Sequence, residues 1–130
     1  MKRPAFAAAV LSALAVTPAL AADYDGSKPL ICANVEAAYC SAGQPCMSGR
    51  AEDIGAPTFF RIDFASNSIV GPNRKTPISN LEKSGGQLLL QGTELDHAWN
   101  LALDTLRGSV AATITDREAI VVLFGNCTVP

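Results

Sequence analysis

One histidine is present in the chain, and it stands among acids in the stretch Glu94-Leu95-Asp96-His97-Ala98-Trp99. An imidazole beside carboxylates is the raw material of general acid–base chemistry or of a metal site. His97 with Glu94 or Asp96 is therefore the constellation that would carry catalysis. Along an extended strand Glu94 and Asp96 share one face while His97 points to the other, so the three converge only where a turn or bulge intervenes. Nucleophilic catalysis would also require an activated Ser or Cys beside the imidazole, and no serine elbow is present. The simpler reading is an acidic turn followed by a strand whose first residue is a histidine at the rim. Trp99 is a large amphipathic ring that packs in a core or stacks on a ligand. Arg74-Lys75, next to Asn73, is the one basic cluster beyond the N-terminus, placed at a loop tip where it is either solvated or meets an acidic partner.

Other chemistries are missing their residues. Asp23 and Asp25 open like a calcium loop, but Ser27 takes the third acidic position and Asn34 stands where a bidentate Glu is required. There is no phosphate-cradling glycine loop, nucleotide fingerprint or metalloprotease motif, so no cofactor is expected. Paired carboxylates of the glycosidase kind are defined by their separation in space, and the acids here fall mostly in turns, where solvated charge is the rule.

Four cysteines follow: Cys32, Cys40, Cys46 and Cys127. Their spacings of seven, five and eighty intervening residues do not match paired zinc ligands, which sit two to four residues apart, and no Cys-x-x-Cys redox pair occurs. An even count in a small exported chain reads as a disulfide framework with three possible connectivities. Cys40–Cys46 with Cys32–Cys127 is the favoured one, because Gly43 and Pro45 turn the chain between the first two. No metal is expected at these thiols.

The elements that must position these residues read mainly as β. Leu30 to Cys40 alternates loosely, with Ile31, Ala33, Val35, Ala37 and Tyr39 on one side, although its alanines also permit a helix. Residues 41–57 form a cystine-tied loop with one helical turn over 48–54. Phe60, Ile62 and Phe64 alternate with Arg61 and Asp63, the period of a strand with one buried face. Residues 71–75 make a loop tip, 78–83 a short strand, and Ser84-Gly85-Gly86 a turn into 87–91. His97, Trp99, Leu101 and Leu103 then share a face. Gly108 closes a hairpin that needs a positive φ, and residues 109–115 alternate again. Ala119–Phe124 is a nearly continuous apolar run, as in a central or doubly covered strand. Five or six strands with short turns predict an antiparallel meander that closes into a barrel or folds into a sandwich.

The N-terminus sets the compartment. Met1-Lys2-Arg3 is followed by an uncharged run from Pro4 to Leu20 and by Ala19-Leu20-Ala21, the arrangement of a secretory signal peptide cut after Ala21. The run is Ala-rich, broken by Pro18 and shorter than the roughly 20 apolar residues of a spanning helix. The first Cys lies at Cys32, so no lipid anchor is expected, and twin arginines are absent. Removal of residues 1–21 leaves 109 residues in which 8 basic side chains face 12 acidic ones, one domain over 22–130 with a net charge of −4. Mild acidity argues against nucleic acid, which demands a basic face. No membrane span is expected in the mature chain. The expected location is the periplasm or the medium.

The combination Tyr24-Asp25-Gly26-Ser27-x-Pro29-Leu30-x-Cys32, Leu90-Gln91-Gly92-x-Glu94, Trp99-x-Leu101 and Phe124-Gly125-x-Cys127 resembles small exported proteins of proteobacteria. The likeness covers nearly all of the mature chain and implies export without an activity. In architecture alone, a disulfide-bonded periplasmic β-barrel is also similar to the inhibitors of C-type lysozyme. The reading that follows is a small, exported, non-enzymatic binding or accessory module, inhibitor-like in kind, whose partner is a periplasmic protein or a small ligand. The alternatives are a small enzyme or metal-binding protein using His97 with Glu94 or Asp96, and a carrier of a small apolar ligand.

Overall fold

The computed structural model describes residues 23–130; the expected signal peptide, residues 1–21, lies outside the described residues. Ten strands follow in order: β1 (Leu30–Ser41), β2 (Met47–Gly49), β3 (Phe59–Asp63), β4 (Ser68–Val70), β5 (Lys75–Pro77), β6 (Asn80–Ser84), β7 (Gln87–Glu94), β8 (His97–Asp104), β9 (Ser109–Thr115) and β10 (Ala119–Thr128). A 3-10 turn, Ala51–Ile54, separates β2 from β3. Every pairing is antiparallel. The strands run β5-β4-β3-β1-β10-β9-β8-β7-β6 across one sheet, with β2 on the far half of β1. The sheet is two meanders joined by the pairing of the first strand with the last.

This sheet curls into a half-barrel whose two ends approach each other. The Ser79 N–H donates to the Gln91 carbonyl (2.8 Å) and the Thr76 hydroxyl to the Thr93 carbonyl (3.3 Å). One end of the concave side is filled by Leu30, Ile62, Leu88, Leu90 and Leu103, all fully buried, with Phe60, Leu101 and Val110 around them. At the other end the inward residues are small: Ala37 and Ala51 are buried with Leu123, and Ala56 and Ala112 pack beside them. Leucines close the first end; alanines leave the second open.

The expected disulfides form. Cys32–Cys127 joins directly opposed residues of β1 and β10, and Cys40–Cys46 ties the end of β1 to the start of β2. No cysteine is free among the described residues. Among those residues, no helix is long and apolar enough to cross a membrane.

Three readings from pattern differ from the structure. The strand count is ten rather than five or six, because β2, β4 and β5 have three residues each, too few to show an alternation. β5 ends on Pro77, which an edge strand tolerates. The single face expected for Ile31 through Tyr39 is interrupted, because the register of β1 against β10 shifts between Asn34 and Glu36. Val35 is the extra residue of a bulge and is exposed, whereas Ala37 turns inward with Leu30, Cys32 and Asn34. Finally, β10 is central by position, yet its outer face is uncovered and Phe124 is 48% exposed.

Candidate functional site

The open end of the half-barrel is a cleft of about 750 Å³. Its floor comes from β8, β9 and β10 through Trp99, Leu101, Ala112, Ile114 and Leu123. One wall is the segment 55–57 before β3, and the other is the β4–β5 hairpin with Ile69, Pro72, Arg74 and Thr76. The β7–β8 hairpin, with Glu94, Leu95 and His97, forms the lip. The interior is mainly apolar and the rim polar, as in most small-ligand sites.

That lip corrects the expected arrangement of the acids around His97. Leu95 and Asp96 both have positive φ (45° and 65°) and form a two-residue turn, so Glu94 and His97 end up directly opposite each other. Asp96 is left in the turn. Cross-strand partners share a face, hence Glu94 and His97 both line the cleft. Such primed turns favour Asn or Gly, since the left-handed region costs other residues about 1–2 kcal/mol. Leu95 occupies it with its side chain 63% exposed.

His97 itself is engaged by neighbouring hairpin tips. Its Nδ1 lies 2.8 Å from the Leu95 carbonyl and therefore donates to it, while Nε2 stands 3.4 Å from the Asp116 carboxylate in the β9–β10 turn. The backbone N–H groups of Glu118 and Ala119 hold the Asp116 carboxyl below the usual aspartate range, with His97 a smaller contributor. In its protonated form the imidazole links the two turns. Among the described residues, no group of three or more His, Cys, Asp or Glu side chains is placed to hold a metal.

Deep in the cleft lies Asn34, 5% exposed. Its Nδ2 donates to the Pro57 carbonyl (2.7 Å), and its backbone N–H donates to the Thr58 carbonyl (2.8 Å). Both bonds staple the 55–57 wall to β1 and fix the carboxamide orientation. Oδ1 is then buried without a hydrogen-bond partner. The indole Nε1–H of Trp99 is the second buried polar atom in the same condition. A buried polar atom left unpaired costs about 1–3 kcal/mol, and the described residues hold two such atoms, both on residues of this cleft.

Trp99 is held by its cross-strand partner Gly92. A Cβ at position 92 would collide with the indole ring and would approach the Pro77 carbonyl to 2.7 Å. The missing side chain lets the ring lie over the β7 backbone, half-buried against the core. Arg74 is exposed on the opposite wall and forms no ion pair with a described residue, and the same holds for Glu94 on the lip. Lys75, expected beside Arg74 as a binding residue, is exposed on β5 and is not part of the cleft lining.

The structure thus brings Trp99, Arg74, Glu94 and His97 to one cavity and leaves Asp96 and Lys75 at its margin. Sequence reasoning missed Asn34. Its signal was present: a polar residue in phase with Leu30 and Cys32 on the buried side of β1. A shallower depression of about 530 Å³ lies on the convex face beside Val35, Ala111 and Phe124, without an unpartnered buried atom. Comparison with protein-family models, curated proteins and solved structures finds no match to this chain.

Proposed function

We propose that this is a small exported binding module of the bacterial periplasm, non-enzymatic, whose recognition site is the open end of the half-barrel. The observation that carries the reading is the cleft itself, about 750 Å³ in volume, floored by Trp99, Leu101, Ile114 and Leu123 and rimmed by Arg74, Glu94 and His97. A concave, mainly apolar surface with a few polar groups at its rim is the usual form of a small-ligand site. Two disulfides suit an oxidising compartment, and the leader-like N-terminus supports export. The largely apolar interior also favours the ligand-carrier form of this reading over a flat protein-docking surface.

The catalytic alternative draws on the opposed Glu94 and His97. The hydrogen bond of Nδ1 to the Leu95 carbonyl, with Nε2 facing the Asp116 carboxylate across 3.4 Å, supports a structural role for His97 instead. A library of small amphipathic compounds, screened by thermal shift, tests the proposal. A ligand at 100 times its Kd raises stability by about 2.7 kcal/mol, and the expected hits lose their effect in Trp99→Ala. Turnover of any ester, amide or glycoside substrate that is abolished by His97→Ala, with the fold intact, would instead establish an enzyme.

A further inference from the structure

The convex side of the sheet, away from the cleft, is uncovered and apolar in one region. Residues that alternate with the buried Leu30, Cys32, Phe60 and Leu123 point outward there, and Ile31, Phe59 and Phe124 are among them. Val35 joins them through the bulge. These are four of the eight large apolar side chains exposed among the described residues, and the other four are dispersed over β2, β6 and two hairpin tips. Scattered exposed hydrophobics are ordinary, whereas a contiguous group marks an interaction surface. Cross-strand register sets this group in a fixed order. Phe59 lies opposite Ala33, while Glu36 is opposite Phe124, Phe124 opposite Ala111 and Ala111 opposite Ala102. Beside the Phe124 and Val35 ridge, the small residues Ala102, Ala111 and Gly125 leave the depression of about 530 Å³. At its far margin Asp104 holds the Arg107 guanidinium through Nε and Nη2, which leaves Nη1 free on a side chain 80% exposed. Glu36 forms no ion pair with a described residue.

We propose that this convex face is a homodimer interface, in which the Phe124 ridge of each copy enters the alanine-floored depression of the other and Glu36 meets the partner's Arg107. The order across the sheet is acid, ring, hollow, guanidinium. A twofold axis lying in the interface between β10 and β9, and running roughly along them, inverts that order. It places ring over hollow and carboxylate beside guanidinium, each pairing made twice, as an isologous contact requires. The same axis keeps the strands of the two sheets aligned, the common geometry of face-to-face sheet packing. Other routes are less suited. β1, β8, β9 and β10 carry no Lys or Arg, so the face lacks the basic residues that draw a protein to an anionic lipid surface. Edge-to-edge pairing is blunted at both ends of the sheet, because β5 has three residues and ends on Pro77, and Lys83 of β6 shares the inward face of Leu88. The area sets the strength. Five strands about 4.8 Å apart over about 20 Å of their length cover about 400 Å² per copy. The pair then falls short of the roughly 1,200 Å² of a stable complex, so the dimer is reversible.

Sedimentation equilibrium of the oxidised protein from about 1 μM to about 1 mM tests this. The mean mass should rise with concentration toward twice that of the monomer. Phe124→Ser, and independently Val35→Ser on the same ridge, should hold the protein monomeric with an unchanged circular dichroism spectrum, since both side chains face outward. Charge exchange supplies the sharper test. Glu36→Arg alone sets Arg against Arg across the interface, and Arg107→Glu alone sets Glu against Glu, so each variant should self-associate at least about tenfold more weakly. An equimolar mixture of the two variants restores both opposite-charge pairs and should dimerise as the parent does. A parent that stays monomeric throughout the range overturns the proposal, as does a dimer indifferent to both ridge substitutions. A mixture no better associated than its components overturns the twofold arrangement. A monomer that binds neutral phosphatidylcholine vesicles, and loses that binding in Phe124→Ser, assigns the face to lipid instead.

Discussion

At the scale of single residues, a few polar and strained positions shape the cleft. Asn34 makes two bonds that hold the 55–57 wall and keeps its Oδ1 unpaired. Leu95 sits in a left-handed turn position and shows its side chain to solvent at the lip. Replacing it removes both features together. Leu95→Asn should raise stability by about 1 kcal/mol by relieving the backbone, as read from urea denaturation, and should weaken any cleft ligand by removing an apolar contact. An unchanged affinity beside a raised stability would show that Leu95 has no part in binding. His97 could be read as a strand-opening rim residue from the sequence. The opposition of Glu94 to His97 could not, because Leu-Asp is not a usual two-residue hairpin turn and only the paired register reveals it.

At the scale of elements, the long strands were legible because their alternation survives over seven or more residues. The face of β8 defined by His97, Trp99, Leu101 and Leu103 and the alternation of β9 are direct cases. β1 was legible as a strand but not in its facing, since a single bulge at Val35 reverses the phase for Ala37 onward. Gly125 lies opposite that bulge, and a Cβ there would collide with the Ala33 carbonyl oxygen. Gly125→Ala should therefore force β1 and β10 apart at the bulge and cost about 1–3 kcal/mol. Amide exchange should accelerate first at residues 33–36 and 124–126. A stability within 0.5 kcal/mol of the parent, on the order of surface substitutions, would mean that the bulge region yields freely.

At the scale of the whole molecule, the pairing of β1 with β10 joins the two meanders, and Cys32–Cys127 crosslinks that pairing over a sequence separation of 95. Loop entropy makes this the more consequential bridge. Replacing Cys32 and Cys127 by Ser should cost about 4–5 kcal/mol, and replacing Cys40 and Cys46 about 2 kcal/mol, measured as two denaturation curves against the parent. The reverse order would show that the small ring, not the β1–β10 seam, holds the fold.

Acid should act on the turns. Backbone N–H groups hold the carboxyls of Asp63, Asp104 and Asp116 below their ordinary range, Ser66 donating to the first, Arg107 and Leu106 to the second, and Glu118 and Ala119 to the third. Because the folded values are the lower ones, the unfolded chain takes up protons first. The contribution of these turns is thus fully present above about pH 4 and is lost as pH falls further through the folded values. Urea midpoints should be level from pH 5 to 7 and fall below pH 4, with a smaller fall in Asp104→Asn; an unchanged midpoint at pH 3 contradicts this.

The half-barrel's closed and open ends were only partly legible. The leucines that fill one end are visible as alternating positions, but the open end depends on which small residues meet across the curl. Ala37, Ala56 and Ala112 come from β1, the segment before β3, and β9, and no local pattern brings them together.

The central claim is that this open end is where the protein recognises its ligand, and the Trp99 indole N–H offers the most direct measurement. In a two-dimensional nitrogen–proton spectrum it is a single indole resonance, arising from a buried donor without a partner. The small-molecule fraction of a periplasmic extract should shift that resonance in a saturable manner as the surroundings of the ring change, together with backbone signals of Asn34 and Leu101. Saturable shifts confined to the convex face around Val35, Ala111 and Phe124, with the indole signal unmoved, would contradict the account.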